Sequence, residues 1–256
     1  MLEADNVEVV RWLSVIVPVY QEPCDELQSL FAWIEESSNP QVEWIIVCSV
    51  GDESSISLLF EIKGHTRRNR MAATTQGARL NIEVIKAPKG RSKQMNAGAK
   101  QASGKVLLFL HADTRLGEGW IDSIEGTFQG ARAQWGAFAP RIAGQGVVYR
   151  VAEQWGLWRS QALGLPYGDQ AMFVDTGLFW ELGGFDEDVQ FMEDVDLAGR
   201  LCRLGLRPLI LPLEAFTSNR KWAKHGLWHS IKNFAAFVLS MLGIPRDRIR
   251  QWYISQ

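Results

Sequence analysis

Three short stretches carry the side chains that could do chemistry. His111-Ala112-Asp113-Thr114 follows directly on the apolar run Leu107–Leu110, so a buried strand ends by presenting a histidine and a carboxylate. A carboxylate in such a loop can hold a hard cation, which takes one or two protein carboxylates and fills its shell with phosphate oxygens and water. The plainer reading is a turn former or helix cap. Glu193-Asp194, with Asp196 behind them, open a stretch of helical spacing. Acidic residues in a first turn favour the helix dipole, and the same residue type, aimed at a pocket, serves as a general base. Thr217-Ser218-Asn219-Arg220-Lys221-Trp222 sets adjacent cations beside an aromatic, a solvated surface or a clamp for a leaving diphosphate.

The elements that must position these residues are legible as apolar runs. Val15–Val19, Val42–Cys48, Asn81–Ile85 and Val106–Leu110 read as strands, with helical spacing over Asp25–Ser37 and Ser92–Ala102 between them. Runs that are apolar on both faces, separated by helices, predict a largely parallel sheet covered on both sides. Ligands of such sheets bind beyond the carboxyl ends of the strands, where Tyr20, Ser49 and Asp113 fall. Between Glu61 and Glu83 there is no acidic residue, while Lys63, Arg67, Arg68, Arg70 and Arg79 crowd together; this segment is expected to be a loop. Gly168-Asp169-Gln170 and Gly183-Gly184 mark turns, Glu193–Leu204 a helix, and Gly226–Gly243 a terminal helix with an apolar face that includes Trp228, Phe234 and Phe237.

Composition sets the outer bounds. The 256 residues suffice for one large α/β domain, 46% hydrophobic and 22% charged, with a net charge of −2 that gives no general argument for nucleic acid. Three cysteines without a CxxC pair argue against zinc and a disulfide framework and for a reducing compartment. The N-terminal MLEADNVEVVRW lacks the long apolar run of a signal peptide. Eleven tryptophans could line a core, a sugar platform or a membrane-facing surface.

Taken together, "SVIVPVYQE", "IIVCSVGDESS", "KGRSKQMNAGAKQASGKVLLFLHADT", "LPYGDQAMFV", "ELGGFDED", "FMEDVDLAGRL" and "TSNRKWAKHG" resemble the family 2 glycosyltransferases of the GT-A fold, in a bacterial subgroup with HADT in place of D-x-D. The resemblance implies a three-layer α/β/α GT-A fold, Rossmann-like, with a mostly parallel central sheet. It implies a glycosyltransferase domain over residues 1–225 and a C-terminal helical extension over 226–256. It further implies a nucleotide-diphosphate-sugar donor, most often a UDP-sugar, and a divalent cation, Mn²⁺ or Mg²⁺.

By the same resemblance Pro18, Val19, Tyr20 and Glu22 surround the nucleoside, Asp113 binds the metal, and Asp194 deprotonates the acceptor hydroxyl. Glu193, Asp169, Gln170, Gly183 and Gly184 fall on the acceptor side, and Arg220 and Lys221 near the diphosphate. The chain also departs from the pattern. Ser49 stands where an aspartate usually contacts the base, Met95 where an arginine precedes Asn96, and His111 where D-x-D has its first carboxylate. Arg91 or Lys93 could supply the missing charge, and His225 could be a further metal ligand. The reading is an inverting, metal-dependent transferase on the cytoplasmic side. Its hydroxyl acceptor is left open, with a lipid-linked compound and a small molecule both considered, and so are membrane contact by the terminal helix and homodimer formation. The alternatives are a non-catalytic sugar-nucleotide binder, motivated by Ser49, Met95 and His111, and a nucleotidyltransferase, which the glycine-free "PVYQEPCDEL" disfavours.

Overall fold

β-Branched and aromatic residues dominate the first strands, and the helices between them turn one apolar face inward; the result is a sheet with a core on each side. A computed structural model describes residues 11–37, 39–72, 80–130, 133–189, 191–220, 232, 234–239, 244 and 246–254. Its strands are β1 (Leu13–Val19), β2 (Val42–Ser49), β3 (Asn81–Ala87), β4 (Val106–Phe109), β5 (Thr114–Leu116), β6 (Trp135–Ile142), β7 (Met172–Asp175) and β8 (Leu209–Thr217). The helices are α1 (Cys24–Glu36), α2 (Glu53–Ala72), α3 (Arg91–Gln101), α4 (Trp120–Gln129), α5 (Val147–Trp158), α6 (Thr176–Glu181), α7 (Glu193–Arg203) and α8 (Arg246–Ile254).

The sheet runs β3-β2-β1-β4-β7-β6-β8-β5. The first four strands are parallel. β7 then runs antiparallel to both β4 and β6, and β8 is parallel to β6 but antiparallel to β5. Parallel β1, β2 and β4 end on one edge, so their exits form one rim. Alternation along β1 and β2 divides the core: Val15, Val17, Trp44 and Ile46 pack on one face, Ile16, Ile45 and Val47 on the other. Three tryptophans, Trp44, Trp120 and Trp135, are buried in these cores, while Trp158 is half exposed.

Two sequence expectations change. The basic segment forecast as a loop is helical through Ala72, as the second half of α2; Glu, Lys and Arg are good helix formers, and the cationic crowding masked that propensity. Residues 73–79 lie outside the described part, and with them Arg79. Of the terminal helix, residues 234–239 are described and helical, and Ala236 and Phe237 are buried against the same core as Ile249 of α8. Phe234 stays half exposed, and Trp228 lies outside the described residues. Among the described residues no helix is long and apolar enough to cross a membrane.

Candidate active site

At the rim, the chain leaves β4 through His111-Ala112-Asp113 and re-enters the sheet as β5. The antiparallel pairing of β5 with β8 sets Thr114 opposite Thr217, and Ser218 N–H donates to the Asp113 carbonyl at 3.0 Å. This ladder delivers Arg220 to the strand exits. One Arg220 nitrogen stands 2.9 Å from Glu22, 3.6 Å from Glu26 and 3.9 Å from Asp113. The Asp113 side chain is only 9% exposed. Burial pushes the Glu26 carboxyl above its ordinary value, although Arg115 and Arg220 pull it down. Arg115 pairs with Glu26 at 3.2 Å.

The second half of the site is the first turn of α7. Met192, just before Glu193, has φ 59°, a left-handed conformation that costs free energy in a residue other than glycine. Gln21 after β1 (φ 53°) and Ala171 after the Gly168–Gln170 turn (φ 52°) share it, so strained backbone recurs around the rim. The strain at Met192 aims Asp194 at the Gly168–Gln170 turn. One Asp194 oxygen accepts from the Gly168 N–H and the other from Val195 N–H at 2.7 Å. Burial, reinforced by the neighbouring Glu193 carboxylate, pushes Asp194 up to about 6, against the opposing pull of those N–H groups and Arg91. A Cβ on Gly168 would lie 2.8 Å from His111 Nε2 and 3.3 Å from Asp194 Oδ2. Glycine at 168 spares the His111 and Asp194 side chains that contact where this turn, the β4 exit and α7 come together.

Arg91, the first residue of α3, bonds Glu193 at 3.0 Å. Burial disfavours its charge, but Glu193, Asp194 and Asp113 outweigh that and raise its pKa. Arg91 therefore links the two halves of the site. Tyr20 receives a hydrogen bond from Lys89 Nζ at 2.7 Å, with the ammonium 4.2 Å from the ring centroid. Pro18 and Val19 precede it on β1, and Lys93 lies on α3, partly exposed.

Other expected site residues sit elsewhere. Ser49 is fully buried, with its hydroxyl 3.3 Å from the Val50 carbonyl. Asn96 is buried and clasps Phe185 through both its amide atoms, at 2.8 and 2.9 Å. Gln170 is fully buried and bonded within the core, while Asp169 stays partly exposed, its carbonyl accepting from Thr217. Gly183 and Gly184 form a left-handed turn against Asn96 and Arg200. With Trp180, Lys100 and Asp186 they line a separate cavity of about 480 Å³. Lys221 and His225 lie outside the described residues.

Sequence reading passed over Asp52. It caps α2 through Ser55 N–H and accepts from Gln21 N–H at 2.6 Å, tying the β1 and β2 exits together. Burial would raise its carboxyl, but the bonds from Gln21, Ser54 and Ser55 hold it below the usual range. Its signal was the capping pattern Asp52-Glu53-Ser54-Ser55.

A strand-end carboxylate, Asp113, beside Arg220, and a buried carboxyl of raised pKa, Asp194, both felt by Arg91, mark this rim as a candidate functional site. Residues 14–177 match the family described as glycosyl transferase family 2. The chain belongs to that family. The match covers β1 through the start of α6 and ends before Asp194. The pre-mycofactocin glycosyltransferase of Mycobacterium tuberculosis, in strains CDC 1551 and H37Rv, is 30% identical over 146 residues, covering 51% of this chain and 31% of that protein. The chain thus spans about a third of these curated relatives. S. aureus TarS 1–349 in complex with UDP superposes with a TM-score of 0.58 at 17% identity, over 86% of this chain and 64% of that one. The Pyrobaculum calidifontis mannosyltransferase PcManGT, in complex with GDP-Man and Mn²⁺, gives 0.59 at 15% identity, over 89% and 61%. Both likenesses are of fold, the GT-A glycosyltransferase fold.

For a glycosyl transferase family 2 site, the donor set suits a hard divalent cation. Among the described residues no three His, Cys, Asp or Glu side chains converge as a metal cage. One carboxylate, Asp113, at the β4 exit fits a cation that takes its other ligands from a diphosphate and water.

Proposed function

We propose that this chain transfers a sugar from a nucleoside-diphosphate sugar to an acceptor hydroxyl by a single, inverting displacement. The observation that carries this reading is Asp194, a carboxylate held by the Gly168 N–H, raised to about 6 by burial and Glu193, and facing the strand exits that hold Asp113. A base whose pKa lies near working pH combines ionisation with proton affinity. Asp194 takes the acceptor proton as the oxygen bonds to the anomeric carbon, and the bond from that carbon to the diphosphate oxygen breaks. Arg220 faces the charge that develops on the departing diphosphate. A divalent cation, Mn²⁺ or Mg²⁺, held by Asp113, would supply Lewis-acid charge neutralisation there. Pro18, Val19, Tyr20 and Glu22 flank the nucleoside, with UDP the favoured carrier, and Arg91 holds the acceptor side to the donor side. The described residues 234–239 and 246–254 act as a helical extension packed on the transferase domain.

Calorimetry with UDP, UDP-glucose, UDP-N-acetylglucosamine and GDP-mannose, with and without Mn²⁺, tests the reading. At least one donor should bind more tightly with Mn²⁺, and Asp113→Asn should lose that dependence while keeping its melting temperature. Donor binding by Asp113→Asn that still responds fully to Mn²⁺ removes Asp113 from the role. Binding without turnover, across a panel of hydroxyl acceptors, points instead to a non-catalytic binder.

A further inference from the structure

Arg159 opens a π-helical turn, Arg159–Leu163, that continues α5. Such turns are rare and concentrate at functional sites. The residue is 1% exposed, and among the described residues no carboxylate pairs with it. One of its terminal nitrogens, Nη1, has no hydrogen-bond partner. Burying an unpaired charge is unfavourable, so packing alone gives no reason for arginine here. The bonds it does make share one destination. Nε donates to the Leu165 carbonyl at 2.7 Å and Nη2 to Gln170 Oε1 at 3.0 Å, and the guanidinium stacks on Tyr167 with Cζ 3.1 Å from the ring centroid.

Gln170 Oε1 also accepts from Tyr167 N–H at 3.1 Å and from the Ser160 hydroxyl at 2.8 Å, while Gln170 Nε2 donates to the Phe138 carbonyl on β6. The Tyr167–Ala171 turn is thus pinned at both ends to one amide, and that amide to Arg159. In the middle of the turn stands the Gly168 N–H that binds Asp194. We propose that Arg159 is a positioning residue, which through Gln170 fixes the turn whose Gly168 N–H orients the Asp194 carboxylate. A planar fork that spans two acceptors while lying flat on an aromatic ring is a task for arginine and not for lysine.

The catalytic significance of this link rests on the general-base reading of Asp194; the link itself does not. Asp194 also faces Glu193 on its own helix, Arg91 from α3, Tyr167 from the turn, and His111 at the β4 exit. Of these, Tyr167 also stacks on Arg159, so Gln170→Leu, which leaves the guanidinium in place, is the decisive comparison. A hydrogen bond to the ionised form lowers a carboxyl pKa, so loosening the turn should move the Asp194 midpoint upward.

Carbon-13 carboxyl NMR of the full chain, with Asp194 assigned by comparison with Asp194→Asn, reads that midpoint without any donor or acceptor. Arg159→Met and Gln170→Leu should raise it by about 1 pH unit, with Arg159→Lys in between. Ser160→Ala, a milder cut in the same network, should raise it less and keeps the test open where Arg159→Met fails to fold. Leu30→Ala, in the core on the opposite face of the sheet, should lower the melting temperature and leave the midpoint in place. A folded Gln170→Leu or Arg159→Met with the wild-type midpoint overturns the proposal, and so does an equal rise in Leu30→Ala. Because the readout needs no turnover, failure of the transferase reading would leave this result standing on its own.

Discussion

Glu43 and Asp194 are carboxylates held largely away from water at opposite edges of the same sheet. Glu43, at the start of β2, is 6% exposed; one of its oxygens accepts from the Ser14 hydroxyl at 2.6 Å and from both the Ser103 N–H and hydroxyl at 2.5 and 2.9 Å. Arg11 lies 3.7 Å from the other oxygen. Asp194 receives two backbone N–H groups but lies against a second carboxylate, Glu193, whose own cation, Arg91, is shared. Donors converge on Glu43. A like charge and burial make the charge of Asp194 uncomfortable, and a proton would relieve it. The first arrangement knits the β1, β2 and α3–β4 connections together; the second, on the proposed function, prepares a proton acceptor.

Replacement should separate the two. Asp194→Asn keeps size and cannot take a proton, so the transfer rate should fall by about 10²–10⁴-fold with donor affinity retained; retained turnover in a steady-state assay would end the general-base role. Gly168→Ala introduces the Cβ that meets His111 and Asp194. It should reduce kcat by at least about 10-fold, since small displacements at a reacting centre are costly, and single-turnover kinetics would detect an unexpected tolerance. Glu43→Gln weakens charge-assisted bonds to Ser14 and Ser103. Denaturant unfolding should register a loss of about 2 kcal/mol with kcat unchanged, and a change in kcat would erase the contrast.

The smallest effect concerns pH. The folded pKa of Asp194, about 6, lies above its ordinary 3.8, so the ionised form opposes folding at neutral pH and that opposition is relieved as pH falls through about 6. Asp194→Asn should accordingly be more stable than the wild type at pH 7.5, by about 1 kcal/mol, and this advantage should shrink toward pH 4. In the same window kcat of the wild type should fall as pH drops below about 6. Melting curves that put the variant below the wild type at pH 7.5 would mean that Asp194 is stabilised by its surroundings, as Glu43 is.

Much of this site was visible as residue types at strand ends and helix starts. Asp113 and Asp194 each have an ordinary local explanation, a turn or cap and a helix dipole, and it is the order and spacing of the motifs in the family resemblance that single them out. What escaped was whatever depends on direction. Ser49 ends a strand as expected, yet the pleat and the following turn bury its hydroxyl. Gln170 reads as an acceptor-side turn residue beside Gly168 and Asp169, and the turn folds it into the core beside Arg159. Asn96 reads as a donor contact and instead holds the turn at Phe185. The basic run after Glu61 suppressed a helix signal that composition alone supported.

The sequence by itself determined the parallel β1-β2-β4 rim, because hydrophobic alternation and helix spacing are local patterns that each segment carries alone. It also determined which residue types reach that rim. The partnerships were decided by tertiary structure. Arg220 meets Asp113 because β5 and β8, about 100 residues apart, pair antiparallel. Asp194 meets Gly168 because a left-handed Met192 starts α7 beside a turn where glycine leaves room for the His111 and Asp194 side chains. Charge proximity and burial are sums over neighbours from distant segments, and the pKa of Asp194 is such a sum.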